Sequence, residues 1–184
     1  MVKVGVAFGR FQVLHLKHIE YLLAAKMRCK KLVIGITYPD ASYLKSSGEG
    51  EPFERVSENP LTYYERFIMI HDAMIDFGVR REEFDIVPLP INKKKQILNY
   101  TPKEATYFMS ICNEWGEEIA RTLESLGVDI DILWRKNEED RGTTGTEVRN
   151  AIRNNEDWRP LVPKTVYEYM LDHKIDERIK ALSA

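Results

Sequence analysis

Two nearly continuous apolar stretches, residues 2–8 (VKVGVAF) and 32–37 (LVIGIT), flank a segment with helical periodicity and limit the folds open to this chain. Residues 18–29 place their apolar side chains, Met27 among them, on one helical face. A strand–helix–strand unit with apolar strands is typical of a parallel sheet covered on both faces. The sequence therefore predicts an α/β fold.

The rest of the chain continues this alternation. Further strands are predicted at residues 84–89, 105–112 and 128–134, and further helices at 60–77, 114–126, 147–154 and 166–182. The polar connections are residues 39–59, 93–102 and 136–142. The first of these, which contains SSGEGE, is either a lid over the site or a disordered segment. We expect one domain with a doubly wound parallel sheet, an α/β core over residues 1–155 and a helical C-terminal tail over 156–184. In such sheets ligands bind at the carboxyl ends of the strands.

Composition excludes several classes of function. The net charge of −2 provides no basic surplus for binding nucleic acid. No signal peptide and no run of about 18 apolar residues is present, so a cytoplasmic protein without membrane contact is expected. Cys29 and Cys112 stand outside any Cys/His cluster, which favours free thiols over a zinc site.

The segment GRFQVLHLKH, residues 9–18, follows the first strand and opens the first helix. Gly9 lets the backbone approach a ligand closely, and the fork of donors on Arg10 suits a phosphate. His15 and His18 are three residues apart at a helix start, so both imidazoles share one face near the positive end of the helix. The set predicts a polyphosphate site; the alternative is polar residues that only cap a helix.

The segment RGTTGTEVR, residues 141–149, follows the last strand in the same way. Thr144 or Thr146 can cap the next helix, and the glycines and backbone N–H groups can form an anion-binding nest. Arg149 lies one turn inside that helix and can point back to the same ligand. The alternative is a capped surface helix with an exposed arginine. We expect the fold to bring this segment beside the first.

Both segments resemble motifs of a known superfamily. GRFQVLHLKH resembles the G-R-F-x-P-x-H-x-G-H signature of the HxGH nucleotidylyltransferases, and GTTGTEVR resembles their S-T/G-T-x-x-R motif. Residues 59–70 (NPLTYYERFIMI) are similar to the N-P-F-T-x-x-E-R helix of archaeal-type nicotinamide-mononucleotide (NMN) adenylyltransferases. Residues 156–166 (EDWRPLVPKTV) are similar to their W-x-x-L-V-P-x-x-V tail. The resemblance covers nearly the whole chain and implies a Rossmann-like nucleotidylyltransferase fold.

The resemblance also implies roles for individual residues. The catalytic set is His15, His18 and Arg149, with the histidines stabilising charge as the α-phosphorus of a nucleoside triphosphate (NTP) is attacked. Mg²⁺ is expected to bridge the phosphates, and a homo-oligomer is possible. The nucleotide- and phosphate-binding set is Phe8, Gly9, Arg10, Lys17, Thr143, Thr144, Gly145 and Thr146. The candidate acceptor-binding residues are Lys93, Lys94, Tyr100 and Asn113.

Departures from the pattern bear on the substrate. Lys17 stands where the superfamily has glycine, so its side chain either points away or adds a charge toward the substrate. Where the archaeal enzymes have a tryptophan-bearing helix, this chain has INKKKQILNYTPKE. Its three lysines suit a compact, doubly charged acceptor, or form a solvated basic loop. With HLKH and NPLTYYER, this stretch is similar to the cytidylyltransferases of phosphonate metabolism, which favours CTP and a small phosphonate. NMN adenylylation and a non-catalytic nucleotide sensor are the alternatives.

Overall fold

The structure, a computed structural model, describes residues 1–45, 54–140 and 142–182, without the side chain of residue 138. The strands are β1 (Val2–Gly9), β2 (Cys29–Thr37), β3 (Phe84–Leu89), β4 (Thr106–Ile111) and β5 (Asp129–Arg135). The helices are α1 (Leu16–Lys26), α2 (Tyr63–Asp76), α3 (Glu114–Glu124), α4 (Gly145–Arg153), α5 (Lys164–Asp172) and α6 (Ile175–Ala181). In the part of the chain that the structure describes, no helix is both long and apolar enough to cross a membrane.

The chain divides into two compact units. The unit that contains the strands, here the sheet unit, comprises Met1–Gly9, Glu20–Tyr38 and Val79–Gly142. The other, here the helical unit, comprises Arg10–Ile19, Pro39–Gly78 and Thr143–Ala184.

The five strands of the sheet unit form one sheet in the order β3-β2-β1-β4-β5, and every pairing is parallel. The strand order reverses between β1 and β4, which places a topological switch point at the carboxyl ends of these two strands, Gly9 and Ile111. Central strand residues such as Val6 and Ile34 are fully buried, as the apolar stretches predict. The predicted parallel α/β sheet is confirmed.

A tyrosine ties β1 to β4 near this point. The hydroxyl of Tyr21 donates to the carbonyl of Phe108 at 2.6 Å and accepts from the backbone N–H of Phe8 at 3.2 Å. A single hydroxyl therefore satisfies two backbone groups on neighbouring strands, which a pure strand pairing leaves open where the strands diverge.

Four helices make up most of the helical unit, with α2 packed on α5, α4 on α6, and α5 on α6. Thr62 caps α2 through a capping box with Glu65. The two carboxylate oxygens of Glu65 also accept from Arg178 of α6, each at 2.8 Å, and Arg178 donates to the carbonyl of Pro60 at 3.1 Å. The C-terminal helices are thereby fastened to the NPLTYYER segment.

Several predicted boundaries are wrong. The first helix spans Leu16–Lys26 rather than 18–29, because Met27 is 78% exposed and belongs to no buried face, while Cys29 is fully buried and already begins β2. The predicted last helix, 166–182, is two helices, since Lys174 adopts a left-handed φ of 54° between α5 and α6. The remaining helix and strand ends lie within three residues of prediction.

The polar connections contain short structures that periodicity did not indicate. Residues 93–102 include the 3₁₀ helix Lys94–Asn99, and residues 136–142 include the 3₁₀ turn Glu138–Asp140. In the long connection 39–59, Val56–Glu58 form a 3₁₀ turn. Residues 46–53 lie outside the described residues. They contain SSGEGE, for which a lid and a disordered segment are the alternatives.

Candidate functional site

The loop that follows β1 is fixed by a buried aromatic ring and a buried amide. Phe11 is 1% exposed and has a left-handed φ of 53°, an arrangement that costs about 1 kcal/mol and requires support from its surroundings. Its ring meets the edge of His18 at a centroid distance of 5.0 Å. Gln12 is 3% exposed; its amide donates to the carbonyl of Leu61 and accepts from the N–H of the same residue, both at 2.9 Å.

The two predicted histidines face each other at the start of α1. Their rings stack at a centroid distance of 3.6 Å with a 20° tilt. The Nδ1 atom of each accepts the backbone N–H of the other, at 3.3 and 3.4 Å. With Nδ1 an acceptor, the proton of each neutral ring is on Nε2, which makes Nε2 a donor. His15 is buried and His18 half-buried, so each ring is oriented through its Nδ1 contact and carries its donor on Nε2.

The N-terminus of α4 is the second predicted segment, of which residue 141 lies outside the described residues. Thr144, and not Thr146, caps the helix: its hydroxyl accepts from the N–H of Glu147 at 3.2 Å, and the Glu147 side chain completes a capping box. A side chain on Gly145 would place its Cβ 2.6 Å from the carbonyl oxygen of Gln12. Only glycine therefore lets α4 approach the first segment this closely. Thr143 is half-buried at the entrance to this turn.

Arg149 is completely buried, so the alternative of an exposed surface arginine is wrong. Its Nη1 donates to the carbonyl of Gln12, and its Nη2 donates to the Thr146 hydroxyl at 3.0 Å and to the carboxylate of Glu58. The two predicted segments are thus in direct contact within the helical unit. Burial lowers the pKa of Arg149 to about 10, with Arg10 and Arg153 lowering it further and Glu58 opposing the shift. The group remains a cation at neutral pH.

Three further arginines, Arg10, Arg66 and Arg153, interact electrostatically with Arg149 or with one another. Among them, only Arg10 is predicted from the sequence to bind phosphate. Arg10 donates to Asn59 at 3.3 Å, and its own carbonyl accepts from the buried Arg66 at 3.0 Å. Arg153 donates to the carbonyl of Ser57 at 2.6 Å. Burial lowers the pKa of Arg66 to about 10, and the charge of Arg10 lowers it further. Concentrated, partly desolvated positive charge of this kind is a strong attractant for a polyphosphate.

Sequence reasoning missed the partners of these groups. The sequence patterns assign none of Gln12, Glu58, Arg66 and Arg153 to the site. The contacts join residues that are 49 to 137 positions apart, which no local pattern reveals. The one available signal was the NPLTYYER resemblance, because Glu58 and Asn59 lie where that segment begins.

The sheet unit holds six further predicted site residues, at the end of β1 or in the connections that follow β3 and β4. Phe8 and Gly9 end β1, with the Phe8 N–H bound by Tyr21. Asn113 follows β4 and uses its side-chain oxygen to cap α3, accepting from Gly116 N at 3.2 Å. The candidate acceptor-binding side chains Lys93 and Lys94 are exposed, as is Tyr100. Lys17, in the helical unit, is exposed on the first turn of α1.

Comparison with known proteins places this arrangement in a family. Residues 6–151 match the cytidylyltransferase-like family. The chain belongs to that family. It is 38% identical over 178 residues to a phosphonoformate cytidylyltransferase from Streptomyces viridochromogenes, covering 96% of this chain and 95% of the relative. It is 28% identical over 183 residues to a nicotinamide-nucleotide adenylyltransferase from Saccharolobus solfataricus, covering 97% and 95%.

A solved structure agrees on the fold of this cytidylyltransferase-like protein. The bifunctional NMN adenylyltransferase/ADP-ribose pyrophosphatase from Francisella tularensis superimposes with a TM-score of 0.72 at 17% identity, over 98% of this chain and 53% of that one. This chain therefore spans about half the length of that protein. The Rossmann-like nucleotidylyltransferase fold is confirmed, and the chain is a nucleotidylyltransferase.

Proposed function

We propose that this enzyme transfers CMP from CTP to a small phosphonate acid of the phosphonoformate type and releases pyrophosphate. The observation that carries the choice of substrates is the likeness to the phosphonoformate enzyme, at 38% identity over 96% of the chain, against 28% for the NMN adenylyltransferase. The exposed lysines 93 and 94 support it, since they suit a compact dianion.

In the proposed reaction an oxygen of the acceptor forms a bond to the α-phosphorus while the bond from that phosphorus to the β-phosphate oxygen breaks. The pyrophosphate leaves with the electron pair. The Nε2–H groups of His15 and His18 would donate to the oxygens that gain charge at the α-phosphorus. Preorganised donors of this kind act without a covalent intermediate, and positioning supplies the rest of the rate enhancement.

The leaving pyrophosphate needs compensation for its growing charge. Arg149 and Arg10, with the N-terminus of α4, would supply it, because hydrogen bonds to Gln12, Thr146 and Asn59 already position the two guanidinium groups before substrate arrives. The Thr146 hydroxyl accepts a hydrogen bond from Arg149 and helps to position its guanidinium group. Thr144 and Gly145 form the turn at the start of α4, which Thr144 caps.

We propose that Mg²⁺ is supplied with the nucleotide. No group of three or more His, Cys, Asp or Glu side chains suited to a metal is found among residues 1–45, 54–140 and 142–182. Such an ion would be held chiefly by substrate phosphates and water, as is common for magnesium. When bound, the ion offsets phosphate charge.

The substrate choice is tested by thermal shift with CTP and with ATP, each with Mg²⁺. Stabilisation by CTP and not by ATP is expected. A ligand present at about 100 times its dissociation constant raises the free energy of unfolding by about 2.7 kcal/mol. Stabilisation by ATP alone would favour the second candidate, NMN adenylylation, which the archaeal relatives support. The acceptor is then tested by pyrophosphate release with phosphonoformate or NMN.

The role of the histidines is tested by two substitutions at one position. His18→Asn keeps an acceptor where Nδ1 is and removes the Nε2 donor, whereas His18→Gln keeps a donor near Nε2. We expect His18→Asn to lower kcat by about 10²–10³-fold, the usual effect of losing one such donor, with partial recovery in His18→Gln. Equal loss in both variants together with a large fall in melting temperature would make the histidine structural.

A further inference from the structure

The Arg149 guanidinium already holds an anion from its own chain. One carboxylate oxygen of Glu58 accepts from Nη2 of Arg149, and the other lies 3.6 Å from Nη1 of Arg153. The side chains of Arg149, Arg153 and Glu58 are 1%, 15% and 19% exposed. Glu58 thus bridges two guanidinium groups that are largely removed from water.

Arg149 has little donor capacity left for another ligand. Both Nη2 hydrogens are used, one on Glu58 and one on Thr146, and Nη1 donates to the carbonyl of Gln12. The Nε atom is buried and has no hydrogen-bond partner among the described residues. A phosphate oxygen that binds Nη2 must therefore replace the Glu58 carboxylate or the Thr146 hydroxyl, and only replacement of the carboxylate exchanges one anion for another.

The charges make such a replacement favourable for a polyphosphate. Among the described residues, the ion pairs of Arg149 and Arg153 all go to Glu58, so one negative charge faces two cations. A triphosphate carries more negative charge than the carboxylate, but a singly charged ligand gains nothing by the exchange.

We propose that Glu58 is a built-in competitor for the triphosphate: its carboxylate occupies Arg149 and Arg153 until a polyphosphate displaces it. The inference rests on the proposed function, since it assigns the phosphate tail of the nucleotide to this cluster. Glu58 thereby selects for polyphosphates over singly charged ligands, and its return to the arginines speeds release of pyrophosphate.

The test uses inorganic tripolyphosphate, which needs neither a base nor an acceptor. Glu58→Gln keeps a hydrogen-bond acceptor for Arg149 and removes the charge. By isothermal titration at fixed ionic strength, we expect Glu58→Gln to bind tripolyphosphate about tenfold more tightly than the wild type, or about 1.4 kcal/mol. The control is Glu168→Gln on α5, an exposed acid paired with Lys164, which should change the affinity less than about twofold.

Equal or weaker binding by Glu58→Gln overturns the inference, because Glu58 would then position Arg149 rather than compete for its ligand. Should that variant be too unstable to purify, Glu58→Asp, which retracts the carboxylate by one methylene, should tighten binding by about threefold; unchanged or weaker binding by it would count against the inference equally. Tighter binding in a protein that shows no turnover with any nucleotide keeps the inference and refutes the proposed function. Absence of tripolyphosphate binding in wild type and variant refutes the phosphate site itself.

Discussion

Replacing Gln12 with methionine should lower the free energy of unfolding by about 3 kcal/mol. The Gln12 amide is the partner of both backbone polar groups of Leu61, at 2.9 Å each, and the two residues are 3% and 4% exposed. Methionine has a similar length and no polar atoms, so the change removes the hydrogen bonds and leaves the packing volume nearly intact.

The magnitude follows from the groups left without partners. A buried donor or acceptor that loses its partner costs about 1–3 kcal/mol, so the N–H and the carbonyl of Leu61 together cost about 2–6 kcal/mol. Thr62, the next residue, is exposed, and water that enters there can satisfy part of the broken pair. The expected loss is therefore in the lower half of the range, about 3 kcal/mol.

Urea unfolding measures this loss. With a slope of about 2 kcal/mol/M, the midpoint should fall by about 1.5 M without a change in slope. Gln96 is the chain's other glutamine and is exposed, so Gln96→Met should change stability by less than about 0.5 kcal/mol. A loss below about 1 kcal/mol for Gln12→Met would refute the view that this amide holds the NPLTYYER segment against the first motif.

Three further substitutions test other contacts. Gly145→Ala should destabilise the protein by about 1–2 kcal/mol and slow pyrophosphate release, because its Cβ would lie 2.6 Å from the carbonyl of Gln12; a more stable, fully active variant would contradict this. Lys17→Ala should raise KM for the nucleotide by about threefold at low salt and less at high salt, and unchanged kinetics would make Lys17 a bystander. Arg178→Gln should cost about 1 kcal/mol near neutral pH, since this pair is partly exposed. Although burial raises the pKa of Glu65, hydrogen bonds from Arg178 and from the Thr62 backbone hold it below its ordinary value of 4.5. The ion pair therefore stabilises the folded protein above pH 4.5, and this contribution is lost as the pH falls through the lower pKa of Glu65 in the folded state. If Arg178→Gln lowers the free energy of unfolding in urea as much at about pH 3 as near neutral pH, the ionised Glu65 is not the cause.

The sequence was sufficient for features that local pattern controls. Apolar strands and helical periodicity predicted the parallel sheet, and the spacing of His15 and His18 at a helix start predicted that their rings would lie together. Thr144 as a cap follows from hydroxyl chemistry at a helix start, although Thr146 was an equal candidate. Each of these depends on residues within one turn or one strand.

Features that depend on distant residues were not predictable in the same way. Arg149 could be read as a surface residue because its partners, Gln12 and Glu58, are 137 and 91 positions away. The break at Lys174 was missed, since lysine carries no strong signal for a left-handed φ and the apolar periodicity continues on both sides.

The transfer of CMP to phosphonoformate is tested by a ³¹P NMR spectrum of the enzyme with CTP, Mg²⁺ and phosphonoformate. We expect a pair of coupled signals from a new phosphate–phosphonate anhydride, with pyrophosphate formed in equal amount. Pyrophosphate formation and coupled signals with ATP and NMN, but not with CTP and phosphonoformate, would contradict the proposed substrates. Unchanged CTP and ATP with both acceptors would contradict nucleotidylyl transfer to either of them.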